Sequence, residues 1–180
     1  HRWPLTADGI SLYWNGLNRG KRSVAVDLAD PEVQELLSEL VGKAGNFLTN
    51  FPARGWMAYD RLRERRDDLV MVEITGSHDG TTAVDYTVNC AVGYPAVTGH
   101  IDDPRPVNHS LPAWDLICGQ TAALGILAAD RHRFRTGEGQ HVSLALADVA
   151  LAAVAWRGEL AEAEVNGVDR QATGNDLYGA

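Results

Sequence analysis

Apolar runs of strand length alternate with amphipathic runs of helix length along this chain. That alternation restricts it to an α/β fold with a mainly parallel, Rossmann-like sheet and helices on both faces. Ser23-Val-Ala-Val-Asp-Leu28 alternates apolar and polar side chains and reads as a strand. Asp30-Pro31-Glu32 then combines a cap residue, a proline at the first helical position and an acid in the first turn. Val33, Leu36, Leu37, Leu40 and Val41 recur at helical spacing, which predicts an amphipathic helix over residues 31–43. Gly42 and Gly45 are its stop signals, and Asn46-Phe-Leu-Thr49 follows as a short buried strand. The pattern returns as a short basic helix over 59–66 and a strand over 69–75. After these come a helix from Asp85 to Ala91, a long helix from about 112 to 134, a strand over 140–145 and an Ala-rich helix over 148–164. Residues 1–20 and 99–110 read as irregular.

The long apolar helix carries the most suggestive single residue. It is expected to be buried on most of its faces, with Pro112 in its first turn and Asp115 near its start. A carboxylate there meets unpaired backbone N–H groups and the positive end of the helix dipole, which favour its ionised form. An ionised carboxylate can serve as a covalent nucleophile. The same pattern also fits an aspartate that only caps the helix.

A second candidate lies at the end of the strand over 46–49, because ligands of open α/β sheets bind beyond the carboxyl ends of strands. There Asn50 can donate and accept hydrogen bonds, Phe51 can stack on a flat ring, and Arg54 can meet a phosphate. His100 and His109 flank the loop before Asp115 and are the histidines able to enter a site there. Arg61, Arg63, Arg65 and Arg66 read as a solvated helix face offset by neighbouring acids. There is no dinucleotide or P-loop glycine pattern, no GxSxG and no metal-ligand spacing, so no metal is expected.

The formal net charge of −8 argues against nucleic acid as a partner. No apolar run reaches the roughly 20 residues of a membrane span, so no membrane partner is expected. Cys90 and Cys118 sit in apolar sequence and read as buried free thiols of a reducing, cytoplasmic compartment. The chain opens at His1 and closes on Asn175-Asp-Leu-Tyr-Gly-Ala180, and is expected to be an internal piece of a longer protein.

Five blocks, in order, resemble the class III (CaiB/BaiF-type) CoA-transferases. Asn18-Arg-Gly-Lys-Arg-Ser-Val-Ala-Val-Asp27 is similar to the family's Asn-x-x-Lys-Arg-Ser strand, and Thr49-Asn50-Phe51 to its Glu-Asn-Phe motif. Asp68-Leu-Val-Met-Val-Glu-Ile-Thr-Gly76 resembles its Ile-(Ser/Thr)-Gly strand. Asp115 stands at the place of its nucleophilic aspartate, and Gly125–Gln140 resembles its Gly-Ile-Leu-Ala-Ala…Arg-Thr-Gly-x-Gly-Gln block. The resemblance implies CoA transfer between carboxylates through an aspartyl-CoA thioester, with Asp115 as nucleophile. Asn50, Phe51, Arg54 and the strand end at Val26 would then hold the CoA moiety. It implies an acyl-CoA and a dicarboxylic acid as substrates, no bound prosthetic group, and an interlocked homodimer. Residues 1–180 would be an incomplete large domain, without the first strand and the small domain.

Less generic segments narrow the resemblance: Arg2-Trp-Pro-Leu-Thr6, Thr49-Asn-Phe-Pro-Ala-Arg-Gly-Trp56, Val84-Asp-Tyr-Thr87, Asn108–Asp115 and Gly174–Ala180. They resemble a branch in which CoA moves from C1 to C4 of mesaconyl-CoA, within one molecule. The alternatives are intermolecular transfer to another acid and a non-catalytic CoA-binding α/β module. The loop after Phe51 is shorter than is general in the family and lacks a later basic residue. Ala29 and Thr82 stand where some relatives have CoA-contacting lysines. Val84 replaces the histidine of the racemase branch, which removes one partner of a two-base proton exchange.

Overall fold

The computed structural model describes residues 3–176, and within the chain two compact units separate at Glu35 and Leu36. The parts of the Arg2–Thr6 and Gly174–Ala180 segments beyond those bounds lie outside the described residues.

In the first unit a bridge joins Leu5 to Ser11, and Ser11 starts helix α1 (Leu12–Leu17). The Ser11 Oγ accepts the Trp14 N–H at 3.0 Å. That cap makes a helix in a stretch where the sequence suggests irregular backbone. Residues 23–28, expected as a strand, join no sheet among the described residues, and their side chains are exposed. Alternation alone does not make a strand: a ladder partner must take up the backbone groups. Helix α2 (Pro31–Ala44) begins as expected, with Asp30 Oδ1 accepting the Glu32 N–H at 2.8 Å.

The second unit is built on a three-stranded parallel sheet in the order β1 (Asn46–Thr49), β2 (Val70–Thr75), β3 (Gln140–Ala145). Between β1 and β2 runs α3 (Tyr59–Arg63); between β2 and β3 run α4 (Asp85–Ala91), α5 (Tyr94–Val97) and α6 (Ala113–Thr136). After β3 come α7 (Leu146–Trp156) and α8 (Glu159–Asn166). The single Ala-rich helix expected over 148–164 is therefore two helices, broken at Gly158, whose φ of +75° a residue with a Cβ rarely adopts.

Successive residues of a strand face opposite sides, and β2 has both sides covered. Met71 packs with Val41 of α2, Leu62 of α3 and Leu69 on one face. Ile74 and Leu144 pack on the other face with Val88 of α4, Trp114 and Cys118 of α6, and Leu146, Val149 and Ala150 of α7. Two glycines permit close backbone approach. A Cβ on Gly76 would stand 2.1 Å from the Ala83 nitrogen, and one on Gly139 would stand 2.2 Å from the Leu69 carbonyl oxygen.

Helix α6 has one buried stripe rather than the expected burial on most of its faces. Trp114, Cys118, Ala122 and Ala129 are buried, whereas Leu116, Ile117, Leu124 and Leu127 are exposed. The sheet, α4 and α7 cover one side of this helix. Cys90, expected to be buried, is exposed, while Cys118 is buried. Arg61 is solvated as expected, but Arg66 pairs with Asp68 and bonds the Gly42 carbonyl at 3.3 Å. No helix among the described residues is long and apolar enough to cross a membrane.

Arg133, near the end of α6, donates to the carbonyls of Gly45 at 2.6 Å and Asp68 at 3.3 Å, just ahead of β1 and β2. The carboxyl end of α6 thus lies at the amino ends of these strands. Its amino end, with Asp115, lies where the strands finish.

Candidate functional site

Pro112 occupies the cap position of α6, not its first turn. A proline side chain has no oxygen to accept the first helical N–H groups, so the acceptor comes from another element. It is Asp85, the first residue of α4. Its Oδ2 accepts the Trp114 N–H at 2.7 Å and the Asp115 N–H at 3.1 Å. The Ala113 N–H goes to the Leu111 carbonyl and the Leu116 N–H to the Pro112 carbonyl, so the first turn is fully satisfied. The expectation that open N–H groups face the Asp115 carboxylate is corrected here: Asp85 has taken two of them, and Asp115 rides on the turn they form.

Asp85 is 3% exposed and its second oxygen is also used, by His109 Nε2 at 2.8 Å. The His109 ring meets Tyr86 edge-on at 5.5 Å. Alongside, the Trp114 indole N–H donates to Asn89 Oδ1 at 3.0 Å, and Asn89 Nδ2 donates to Asn108 Oδ1 at 2.6 Å. One polar network therefore ties α4, the loop before α6 and the α6 amino end together. Its inner members Asp85, Asn89 and Trp114 are buried, and hydrogen bonds among such groups fix geometry. His109 belongs to it; His100 does not, and lines a separate cavity.

Asp115 itself is exposed. One turn further on, the Cys118 thiol is pushed up in pKa, first by burial and then by the negative charge of Asp115. Cys118 is therefore held as a neutral thiol beneath the carboxylate.

Asn50, Phe51 and Arg54 follow β1 at the same end of the sheet as Asp115, and all are exposed; Phe51 shows 55% of its surface. Thr49 Oγ accepts the Phe51 N–H at 3.0 Å, which turns the chain sharply off the strand. Glu73 Oε1, from β2, accepts the Ala53 N–H at 2.9 Å. Val26 lies in the first unit, in the segment that forms no strand, and is 40% exposed. The second unit thus gathers Asp115, Asn50, Phe51 and Arg54 at one sheet end. A cavity of about 600 Å³ opens elsewhere, among Tyr94, His100, Ile101, Leu160, Val168 and Arg170, and neither Asp115 nor Asn50, Phe51 or Arg54 lines it.

Sequence reasoning missed Asp85, Asn89 and Glu73 as parts of this site. Asp85 carried a local signal only as a helix start, and its acceptor role spans about 30 residues, beyond any periodicity.

The family model for CoA-transferase family III matches residues 1–180. The 2-methylfumaryl-CoA isomerase of Chloroflexus aurantiacus is 54% identical, over 99% of this chain and 45% of that protein. The succinyl-CoA:mesaconate CoA-transferase of Haloarcula hispanica is 37% identical, over 81% of this chain and 41% of that protein. The chain thus spans less than half the length of these relatives. Among solved structures, a CAIB/BAIF family protein from Brucella suis superposes with a TM-score of 0.83 and 26% identity, over 92% of this chain and 46% of that one.

Proposed function

The chain belongs to CoA-transferase family III, and on that premise we propose that it moves CoA between carboxylates, with Asp115 as the covalent nucleophile. The observation that carries this reading is the placement of an exposed aspartate on a fully capped helix turn, at the sheet end that also bears Asn50, Phe51 and Arg54.

The Asp115 carboxylate attacks the thioester carbonyl, forms a mixed anhydride and releases CoA thiolate. The thiolate attacks the aspartyl carbonyl of that anhydride, expels the substrate carboxylate and leaves an aspartyl-CoA thioester. A carboxylate then attacks the aspartyl carbonyl, and thiolate leaves again. Its attack on the substrate carbonyl of the new anhydride gives the product thioester and returns Asp115 as carboxylate. No proton or external co-reactant is consumed.

The substrate we infer is mesaconyl-CoA, with transfer from its C1 to its C4 carboxylate. The 54% identity to a 2-methylfumaryl-CoA isomerase supports this choice, 2-methylfumarate being mesaconate. The diacid must then stay bound while it re-presents its other end, which favours a closed pocket. Asn50 hydrogen-bonds the CoA moiety, Phe51 stacks on the adenine and Arg54 meets a phosphate. The protein acts as an interlocked homodimer in the cytoplasm, and this chain contributes to its large domain.

A crossover experiment tests the intramolecular step. Mesaconyl-C1-CoA is converted in the presence of excess 13C-labelled mesaconate. Unlabelled C4 thioester is expected. Label in the thioester would mean intermolecular transfer, the reading that the identity to a succinyl-CoA:mesaconate CoA-transferase favours.

A further inference from the structure

We propose that Glu73 and His141 form a latch that sets the position of the loop after β1, and with it the affinity for the CoA moiety. The inference rests on the assignment of Asn50, Phe51 and Arg54 to CoA binding.

Glu73 stands on β2 directly beside Thr49, the last residue of β1. Its side chain is 16% exposed, and both of its oxygens are used. Oε1 accepts the Ala53 N–H at 2.9 Å, and Oε2 meets His141 Nε2 at 3.2 Å. The His141 ring, from β3, stacks on Tyr59 with centroids 5.1 Å apart and planes 15° apart. Tyr59 opens α3, the helix into which the loop runs. The loop is thus held in the middle by Glu73, and at its far end by Tyr59 against His141.

Among the described residues, the Ala53 N–H bond is the hydrogen bond that ties the loop to a different element, and the Ala53 side chain packs on the cluster of Val41, Leu62, Leu69 and Met71. The Phe51 N–H to Thr49 Oγ and the Arg54 N–H to the Pro52 carbonyl are local. Pro52 offers no N–H for a further tie. A carboxylate is also a stronger acceptor than a neutral oxygen, and His141 on its second oxygen restrains its rotation. Once released, the loop must be ordered by the ligand, so affinity falls. The reacting groups near Asp115 lie on other elements, so the rate from the bound state is preserved. Glu73 and His141 are positioning residues, not catalytic ones.

The test uses full-length Glu73→Ala, Glu73→Gln and His141→Phe, titrated calorimetrically with coenzyme A and assayed for kcat and KM with mesaconyl-CoA. Glu73→Ala is expected to weaken the Kd for CoA about tenfold, with kcat within about twofold of wild type. Glu73→Gln keeps an acceptor for Ala53 and a donor for His141, and should restore the Kd to within about threefold. His141→Phe keeps a ring on Tyr59 but loses the pair, and should fall between them.

A Glu73→Ala protein that binds CoA as wild type does overturns the latch, whether or not its stability drops. If that variant does not fold, equal Kd values for His141→Phe and Glu73→Gln overturn it instead. Phe51→Ala and Arg54→Ala separate the two layers of inference. If they weaken CoA binding and Glu73→Ala does not, only the latch fails. If neither changes the Kd, the loop is not the CoA site and the underlying assignment fails with it.

Discussion

Asp85 Oδ2 accepts two backbone N–H groups of α6, and this one atom explains why Asp115 is held where it is. Replacing Asp85 with Ala leaves the buried Trp114 N–H and the partly buried Asp115 N–H unpaired and removes the carboxylate from His109. The expected loss is about 2–4 kcal/mol of unfolding free energy, read by urea titration. Asp85→Asn keeps an acceptor and should lose less than half of that. The two cysteines give a second check. Exposed Cys90 should react fast with a thiol reagent at pH 8. Cys118, buried and raised in pKa by burial and by Asp115, should react only on unfolding. Asp115 was legible in the sequence because an acid opening an apolar helix is conspicuous, and because the blocks around it resemble a family. Its support was not legible: Asp85 and His109 meet only when α4 and the loop before α6 fold together.

At the level of elements, local signals worked where they were strong. Asn46–Thr49, Asp85–Ala91 and Gln140–Ala145 form with the bounds that the pattern predicts, and α2 runs one residue longer than predicted. They failed where the outcome depended on a partner, as at residues 23–28, or on a single φ, as at Gly158. Gly76 is the tightest of these elements' joints. Gly76→Ala places a methyl against the backbone of residues 81–83, which cannot yield as a side chain can, and should cost about 3 kcal/mol. The start of β2 adds a pH signature. Asp68 is held below its ordinary pKa of 3.8 chiefly by its hydrogen bond from Arg66. A depressed carboxylate stabilises the fold above its unfolded pKa and loses that contribution as pH falls through its folded value. Asp68→Asn should therefore be less stable than wild type at pH 7, with the gap closing below pH 3.8.

At the scale of the molecule, the parallel sheet orders everything else. Arg133 pins the carboxyl end of α6 to the amino ends of β1 and β2, so Asp115 must emerge where the strands finish. The loop after β1 emerges at that same end, as open α/β sheets require of a ligand site. This common end followed from the order of strands and helices in the sequence. What periodicity could not reveal is the exposed apolar face of α6, since a helix pattern does not say which sides its neighbours will cover. The central claim is that the aspartate at this sheet end carries the transferred group. The direct measurement is conversion of mesaconyl-C1-CoA to the C4 thioester, followed by chromatography and mass spectrometry, for full-length wild type and Asp115→Ala side by side. Wild type should convert it, and the variant should lose at least about 1,000-fold in kcat. Turnover by Asp115→Ala at the wild-type rate would contradict the claim.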